Sequence, residues 1–477
     1  MFVTAPSVSF GVPSPHRAGK ETAMTIVSAS GVDTVVRALR PRLGERLLLP
    51  DDAGFGGARR VWNAAVTHRP ALIARCRDTA EVAAAVRAAR DAGLPLSVRA
   101  GGHDWAGRAV RDGGLVVDLT GLRGAAADPV ARTVTVEGGA TTADLLAAAA
   151  PHGLVTATGV VGSVGVAGLS TVGGYGPLVG RFGLALDNLL GAEVVLADGS
   201  TVTAGPDGDP ELWWALRGGG GNFGVVTRLR FRLHELPAVL AGMLLFPAAQ
   251  GRAVLSGYAG IVAAAPDDLT VMTGFLPGPD GPMAFLCPFW SGADLAAGAR
   301  AVDALRALGR PVVDQVGTMP YAAALRMFDA SIVDGNHYLL RSRWLADLSP
   351  AAADALVAGA AELTSPFSTL IVNRFHGAAA RVDPAATAFA NRVPHQVVEV
   401  IAAWPAQDTA ERHRAWADSV VAALDPVALP GGYPNLLGPG DDTRARDAYG
   451  GNLDRLLAAK RRYDPDNVFS AIPALLD

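Results

Sequence analysis

The chain has 477 residues, enough for about three domain-sized units, which large mixed folds often merge into two lobes. Apolar residues make up 50% and charged residues 18%, a globular composition, and a net charge of -4 supplies no cationic field, so nucleic acid is not an expected partner. Two well-separated cysteines, Cys76 and Cys287, offer neither a disulfide framework nor a zinc site and fit a reducing cytoplasm; no metal is expected.

Residues 1–30 are rich in Ser, Pro and Gly and lack both a signal-peptide core and a membrane span, so they read as a mobile arm, with Met24 as a second possible start. A strand at 71–75, a helix over 78–93 opened by Asp78 and Glu81 and stopped by Gly93, and a strand at 95–100 then form a compact α/β unit. Strands at 114–119 and 133–137 and a helix over 141–152 follow. Further strands are expected at 191–196 and 224–233, the latter with arginines on its wet face, and Asp198 and Gly199 form a hairpin turn. After Pro237 longer strand-like runs at 283–290 and 396–404 alternate with Ala-rich helices such as 299–308. The organisation is therefore an arm (1–30), a first lobe (31–237), a second lobe (238–429) and a terminal segment (430–477) that carries a helix over 443–462 and returns to the first lobe.

Arg99, Ala100, Gly101, Gly102, His103 and Asp104 place small residues and then an imidazole directly after a strand. Consecutive amides in such a turn form a nest for phosphate oxygens, with one reactive side chain at its lip. The run from Gly219 to Gly224 satisfies GxGxxG, but a strand follows it where a dinucleotide fold needs a helix, which argues against an NAD site. A second glycine-rich stretch, 159–168, continues through 173–176 to 181–188. Its stiff valines, Val160, Val161, Val164 and Val166, argue for backbone pressed against a flat or anionic ligand rather than for a slack loop.

Taken with 217–227, Tyr433, Pro434 and Asn435, and the terminal Tyr463 to Phe469, these motifs resemble the FAD-linked oxidases of the vanillyl-alcohol oxidase superfamily, in its bacterial berberine bridge enzyme-like branch. The resemblance implies an α+β protein: a PCMH-type FAD-binding domain of two subdomains, and a substrate domain with an antiparallel sheet covered by helices. It implies FAD joined to His103, lined by Arg99, Ala100, Gly101, Gly102, Asp104, Gly159, Val161, Ser163, Val164, Gly165, Gly168, Asn222, Gly224, Val225 and Val226. Asp187 and Asn188 would support that loop, and Asn435 would hold the Tyr433 loop against the flavin. Many relatives carry a second, cysteinyl tether where this chain has Val161, so attachment through His103 alone is expected. A valine at 164 resembles an oxidase's oxygen path.

Hydride transfer to flavin N5 calls for a group to take the substrate's proton. By resemblance Tyr433 is the first candidate; Glu399, a lone carboxylate in an apolar strand, is either exposed on one face or held in a pocket with a raised pKa, and ranks second. His376 is third, near Asn373 and Arg374 on a strand where some relatives present a glutamate. Phe289, Trp290, Tyr338, Trp344 and Trp404 are candidates for a stacking surface, although aromatics at such spacing are more often core. The expected activity is oxidation of an alcohol or activated C–H bond in a sugar-bearing or polyketide-like small molecule, with O2 as acceptor and H2O2 as product, by a cytoplasmic monomer or homodimer. Alternatives are a flavin dehydrogenase or oxidative cyclase of secondary metabolism, and a non-catalytic flavoprotein.

Overall fold

The computed structural model describes residues 29–438, 440–470 and 475. Helix Ala29–Leu43 begins within the expected arm, and residues 1–28 lie outside the described residues. Among the described residues no helix is long and apolar enough to cross a membrane.

Among the described residues three large sheets build the molecule, beside a two-stranded pair of Leu154–Val155 with His234–Glu235. The first has four strands in the order Leu47–Leu48, Leu72–Arg75, Leu115–Asp118, Leu96–Arg99, with the last three parallel. Helix Thr79–Asp91 makes the crossover; its N-cap Asp78 accepts from the Glu81 amide at 2.8 Å, while the Glu81 carboxylate turns to Arg46. The second sheet has five antiparallel strands, Ala125–Asp128, Thr133–Glu137, Val225–Arg232, Leu189–Val195 and Thr201–Ala204. Arg228, Arg230 and Arg232 project to solvent from its central strand, and Gly199 turns the hairpin at φ +76°. Helix Thr142–Ala149 packs beside it, closed at its start by a reciprocal box between Thr141 and Asp144.

The third sheet has nine strands, and all its pairings are antiparallel. Its two faces are both covered, which explains why its strands read as unbroken apolar runs. Val398, Val400, Ala402 and Trp404 of strand His395–Pro405 point to helices Gly251–Ala263, Leu295–Arg306, Pro350–Ala361 and Ala410–Leu424. Val397, just before them in sequence, joins the core shared with the second sheet, and Glu399 shares that inner face.

The expected single helix over 443–462 is two. Helix Asp442–Asp447 ends before Gly450, whose φ is +47°, and helix Leu453–Tyr463 starts afresh. The second of these packs on helix Pro210–Gly219, where Arg455 pairs with Glu211 at 2.7 Å and lies over the Trp214 ring. A fully buried ion pair ties down the chain's end: Lys460 Nζ donates to Asp464 at 2.5 Å, and to the carbonyls of Asn222 and Phe469, both at 2.9 Å.

Candidate active site

Where the three sheets meet lies a cavity of about 350 Å³. One wall is glycine-rich backbone from the first two sheets, and the other is the inner face of the third sheet with the Tyr433–Leu436 loop.

The backbone wall follows from contacts that only glycine permits. A Cβ on Gly101 would lie 2.4 Å from the Gly165 amide nitrogen, and one on Gly165 would lie 2.5 Å from that of Gly101, so the two loops touch back to back. Gly102 takes φ +67°. The amides of Gly101, Gly102, His103 and Asp104 donate to no backbone acceptor among the described residues, which leaves a row of donors at the lining. Ala100, Gly101, Gly102, His103 and Asp104 all line the cavity, as do Gly159, Val161, Val164, Gly165 and Gly168. Gly224, Val225, Val226 and Asn435 complete the expected residues brought together there. Such a wall, narrow and rich in unpaired amides, fits the pyrophosphate and flat ring of FAD.

Three expected contacts are corrected, those of Arg99, Ser163 and Asn222, which are absent from the cavity lining. The Arg99 guanidinium turns away to the Ala58 carbonyl, and Ser163 is exposed. Asp187 lies behind the wall, accepting both guanidinium nitrogens of buried Arg392 at 2.9 Å, and Asn188 donates to the carbonyls of Phe182 and Leu184. Asn222 is sealed beneath the 219–224 turn, donating to Gly219 at 2.8 Å. That turn has helix Pro210–Gly219 before it and strand Val225–Arg232 after it, the reverse of a dinucleotide fingerprint.

His103 faces the cavity with its ring stacked on Trp62. Burial pulls its pKa down to about 4, so the imidazole is neutral and nucleophilic at neutral pH.

On the opposite wall Asn373 donates to Glu399 Oε1 at 2.7 Å. Burial pushes the Glu399 carboxyl up to about 7, against the Asn373 bond, which favours the charged form. Tyr433 stands beside them. Its oxygen accepts from the Gly174 amide at 2.9 Å and from Asn435 Nδ2 at 3.2 Å, and burial pushes its hydroxyl up to about 12. Asn435 also donates to the Gly168 carbonyl at 3.2 Å, pinning the loop to the glycine wall.

His376 does not reach the cavity. Its Nε2 lies 3.1 Å from the Leu269 carbonyl and its ring packs on Gly180, where a Cβ would meet Cε1 at 2.2 Å; it is a core residue. The aromatic candidates are core as well. Trp290 and Trp404 lie under the helices, Phe289 and Trp344 pack in the core shared with the second sheet, and Tyr338 packs on Trp62.

Two lining residues were not among the named site candidates. Tyr175 lines the wall with its hydroxyl 2.9 Å from His395 Nε2; because His395 Nδ1 contacts the Val393 carbonyl at 2.7 Å, Nε2 is the acceptor and Tyr175 donates. Arg108 also lines the cavity and joins its two walls, donating to Asp104 at 3.0 Å and to the Leu437 carbonyl at 2.7 Å. The alternation of arginine and acid four residues apart could have marked the first of these contacts; the second spans most of the chain.

A cleft that can seat a flavin between an amide-rich wall and a carboxylate-bearing sheet is that of a flavoenzyme. Residues 70–205 match the model of an FAD binding domain, and residues 433–473 match that of the berberine and berberine-like family. Relatives include (R)-6-hydroxynicotine oxidase of Paenarthrobacter nicotinovorans, 33% identical over 447 residues that cover 89% of this chain and 94% of that one. An FAD-linked oxidoreductase of Gibberella zeae is 32% identical, covering 87% of this chain and 82% of its own. Similar solved structures include 6-hydroxy-D-nicotine oxidase from Arthrobacter nicotinovorans (TM-score 0.81, 30% identity, 90% of this chain and 97% of that one) and xylooligosaccharide oxidase from Myceliophthora thermophila (0.82, 25%, 93% and 99%). The chain belongs to the berberine-like family of FAD-dependent oxidoreductases.

Proposed function

We propose that the chain is an oxidase whose FAD is joined to His103 alone, and that it oxidises a weakly polar alcohol or activated C–H bond of a polyketide-like small molecule while Glu399 takes the proton. FAD, when bound on the glycine wall, would supply the hydride acceptor at N5, with O2 as the final electron acceptor and H2O2 as its product. The observation that carries this reading is the Asn373–Glu399 pair facing the glycine wall across the cavity. A carboxyl poised at about 7 is matched to accepting a proton near neutral pH. Tyr433, protonated until far above neutrality, is suited to donating its O–H to the substrate oxygen rather than to accepting a proton.

A single tether is supported by the position of the cysteines. Both are buried, neither lines the cavity, and Val161 stands in the wall. Val164, a small side chain on the same wall, supports access of oxygen. On the substrate side Val160, Ile332, Val397 and Leu436 are apolar, and the polar groups there are Tyr175, Asn373, Glu399, Tyr433 and Asn435, with the Asp104–Arg108 pair joining the two walls. A sugar-bearing substrate would leave many hydroxyl groups unpaired there, so the polyketide-like class is favoured over the sugar-bearing one.

The test is rapid mixing of the yellow holoprotein with a panel of aromatic polyketide alcohols and oligosaccharides without oxygen, followed by peroxide measurement in air. Bleaching of the flavin absorbance by an aromatic alcohol, with one peroxide formed per substrate oxidised, supports the oxidase. Bleaching without peroxide points to the dehydrogenase or cyclase, and preference for oligosaccharides overturns the substrate class.

A further inference from the structure

His103 is held in an unusual way for a reactive imidazole. Its Nε2 is buried and has no hydrogen-bond partner among the described residues. Among the described residues no side chain is hydrogen-bonded to the ring, which meets only the residue's own backbone carbonyl. Instead the Trp62 indole lies face to face with it, centroids 4.4 Å apart and planes 17° from parallel. Trp105 meets that indole edge-on at 4.8 Å and Tyr338 packs against it at 4.3 Å.

The indole is itself fixed from both sides. Asn63, buried, donates Nδ2 to the carbonyls of Trp105 and Tyr338, both at 3.0 Å, and its Oδ1 accepts from the amides of Ala65 at 3.1 Å and Tyr338 at 2.9 Å. The Trp62 carbonyl accepts from the Gly335 amide at 3.3 Å. The segment carrying Trp62 is thus clamped between the His103 loop and the outer strand Asn336–Leu345 of the third sheet. The Trp62 N–H pays for this position, being buried with no partner, a cost that a purely space-filling phenylalanine would not incur.

We propose that Trp62 is a positioning residue for cofactor attachment: by stacking, it holds the His103 ring in place at the cavity wall, a task that a hydrogen-bonded carboxylate commonly performs for a reactive histidine. The inference rests on the proposed His103 tether. In the attachment step one N–C bond forms between the imidazole and the 8-methyl carbon of FAD, and one C–H and the imidazole N–H break. The two protons and two electrons pass first to the isoalloxazine and then to O2, which leaves as H2O2. A stacked aromatic pair is worth enough to slow this step on the order of two- to tenfold when it is removed.

The experiment compares wild type, Trp62→Phe and Trp62→Leu. Each protein as purified is incubated aerobically with FAD, and samples are acid-precipitated at intervals to give the ratio of covalent to total bound flavin. Thermal melting and total flavin content report folding. The expected result is a tethering rate for Trp62→Phe within about twofold of wild type, and a rate for Trp62→Leu slowed by two- to tenfold at similar total flavin. If Trp62→Leu does not fold, Trp62→Met carries the same comparison. Tethering of the non-aromatic variant at the wild-type rate, or equal slowing in the phenylalanine variant, overturns the role of Trp62 while leaving the tether standing. Wild-type protein that holds its flavin only non-covalently overturns both.

Discussion

Asn373 and Glu399 project into the cavity from adjacent antiparallel strands, offset diagonally: Asn373 is opposite Val397, Glu399 is opposite Ile371, and the amide spans the offset to the carboxylate at 2.7 Å. The register therefore gives the carboxyl one partner that favours its charged form, in surroundings that otherwise disfavour it. Substituting Asn373→Ala removes that partner. The acid limb of kcat, expected near pH 7, moves to higher pH, which a pH–rate profile reads directly.

Glu399→Gln abolishes the proton acceptor and lowers kcat about 10²- to 10⁴-fold, with loss of the limb near pH 7. Stability changes in the opposite sense. A carboxyl whose folded pKa of about 7 exceeds its unfolded value of about 4.3 stays protonated in the folded state while the unfolded chain releases its proton. Its contribution is therefore present below about pH 4 and is lost as the pH rises towards 7. Glu399→Gln should melt above wild type at pH 8.5, and the difference should close at pH 4.

Tyr433→Phe leaves the Gly174 amide without its acceptor and withdraws an O–H from the cavity. Losing one such bond lowers kcat about ten- to a hundredfold and destabilises by about 1–3 kcal/mol. Because the phenol stays protonated through neutrality, the limb near pH 7 should remain in place. Steady-state kinetics over pH 5–9 check both points.

Gly101→Ala drives a methyl group into the Gly165 backbone, which cannot yield as a flexible side chain would. The two loops must part, and the expected outcome is folded protein with little bound flavin, measured as the ratio of visible to ultraviolet absorbance.

Lys460→Met strands Asp464 fully buried beside two carbonyls that have lost their donor. Removing one member of such a pair costs about 3–5 kcal/mol. Phe469, whose carbonyl Lys460 holds, lines the cavity, so flavin retention should fall as well. Denaturant unfolding and flavin content measure the two effects.

Periodicity and capping made much of the first lobe legible. The Thr133–Glu137 alternation is a strand with one covered face, and Asp78 and Thr141 cap helices where their side chains could reach the amides three residues on. The glycine cradle was legible too, because stiff valines among glycines imply backbone in close contact. Less could be read where both faces of a strand are buried: in 396–404 the inner and outer residues have the same apolar character, so only the fold shows that Glu399 faces the cavity. His376 misled for the same reason, since its strand neighbours gave no hint of the Gly180 surface that takes its ring. The partners Trp62, Tyr175 and Arg108 depend on contacts between segments far apart in sequence, which no local pattern encodes. The break at Gly450 was present in the sequence as paired glycines inside an otherwise amphipathic helix.

The central claim is most directly tested by peptide mapping of freshly purified holoprotein. Cleavage after Arg99 and Arg108 releases the nine-residue peptide from Ala100 to Arg108, with His103 inside it. Attachment through His103 alone puts the mass of FAD on this peptide and on neither the Cys76 nor the Cys287 peptide. An unmodified His103 peptide, with all of the flavin in the acid supernatant, would contradict it.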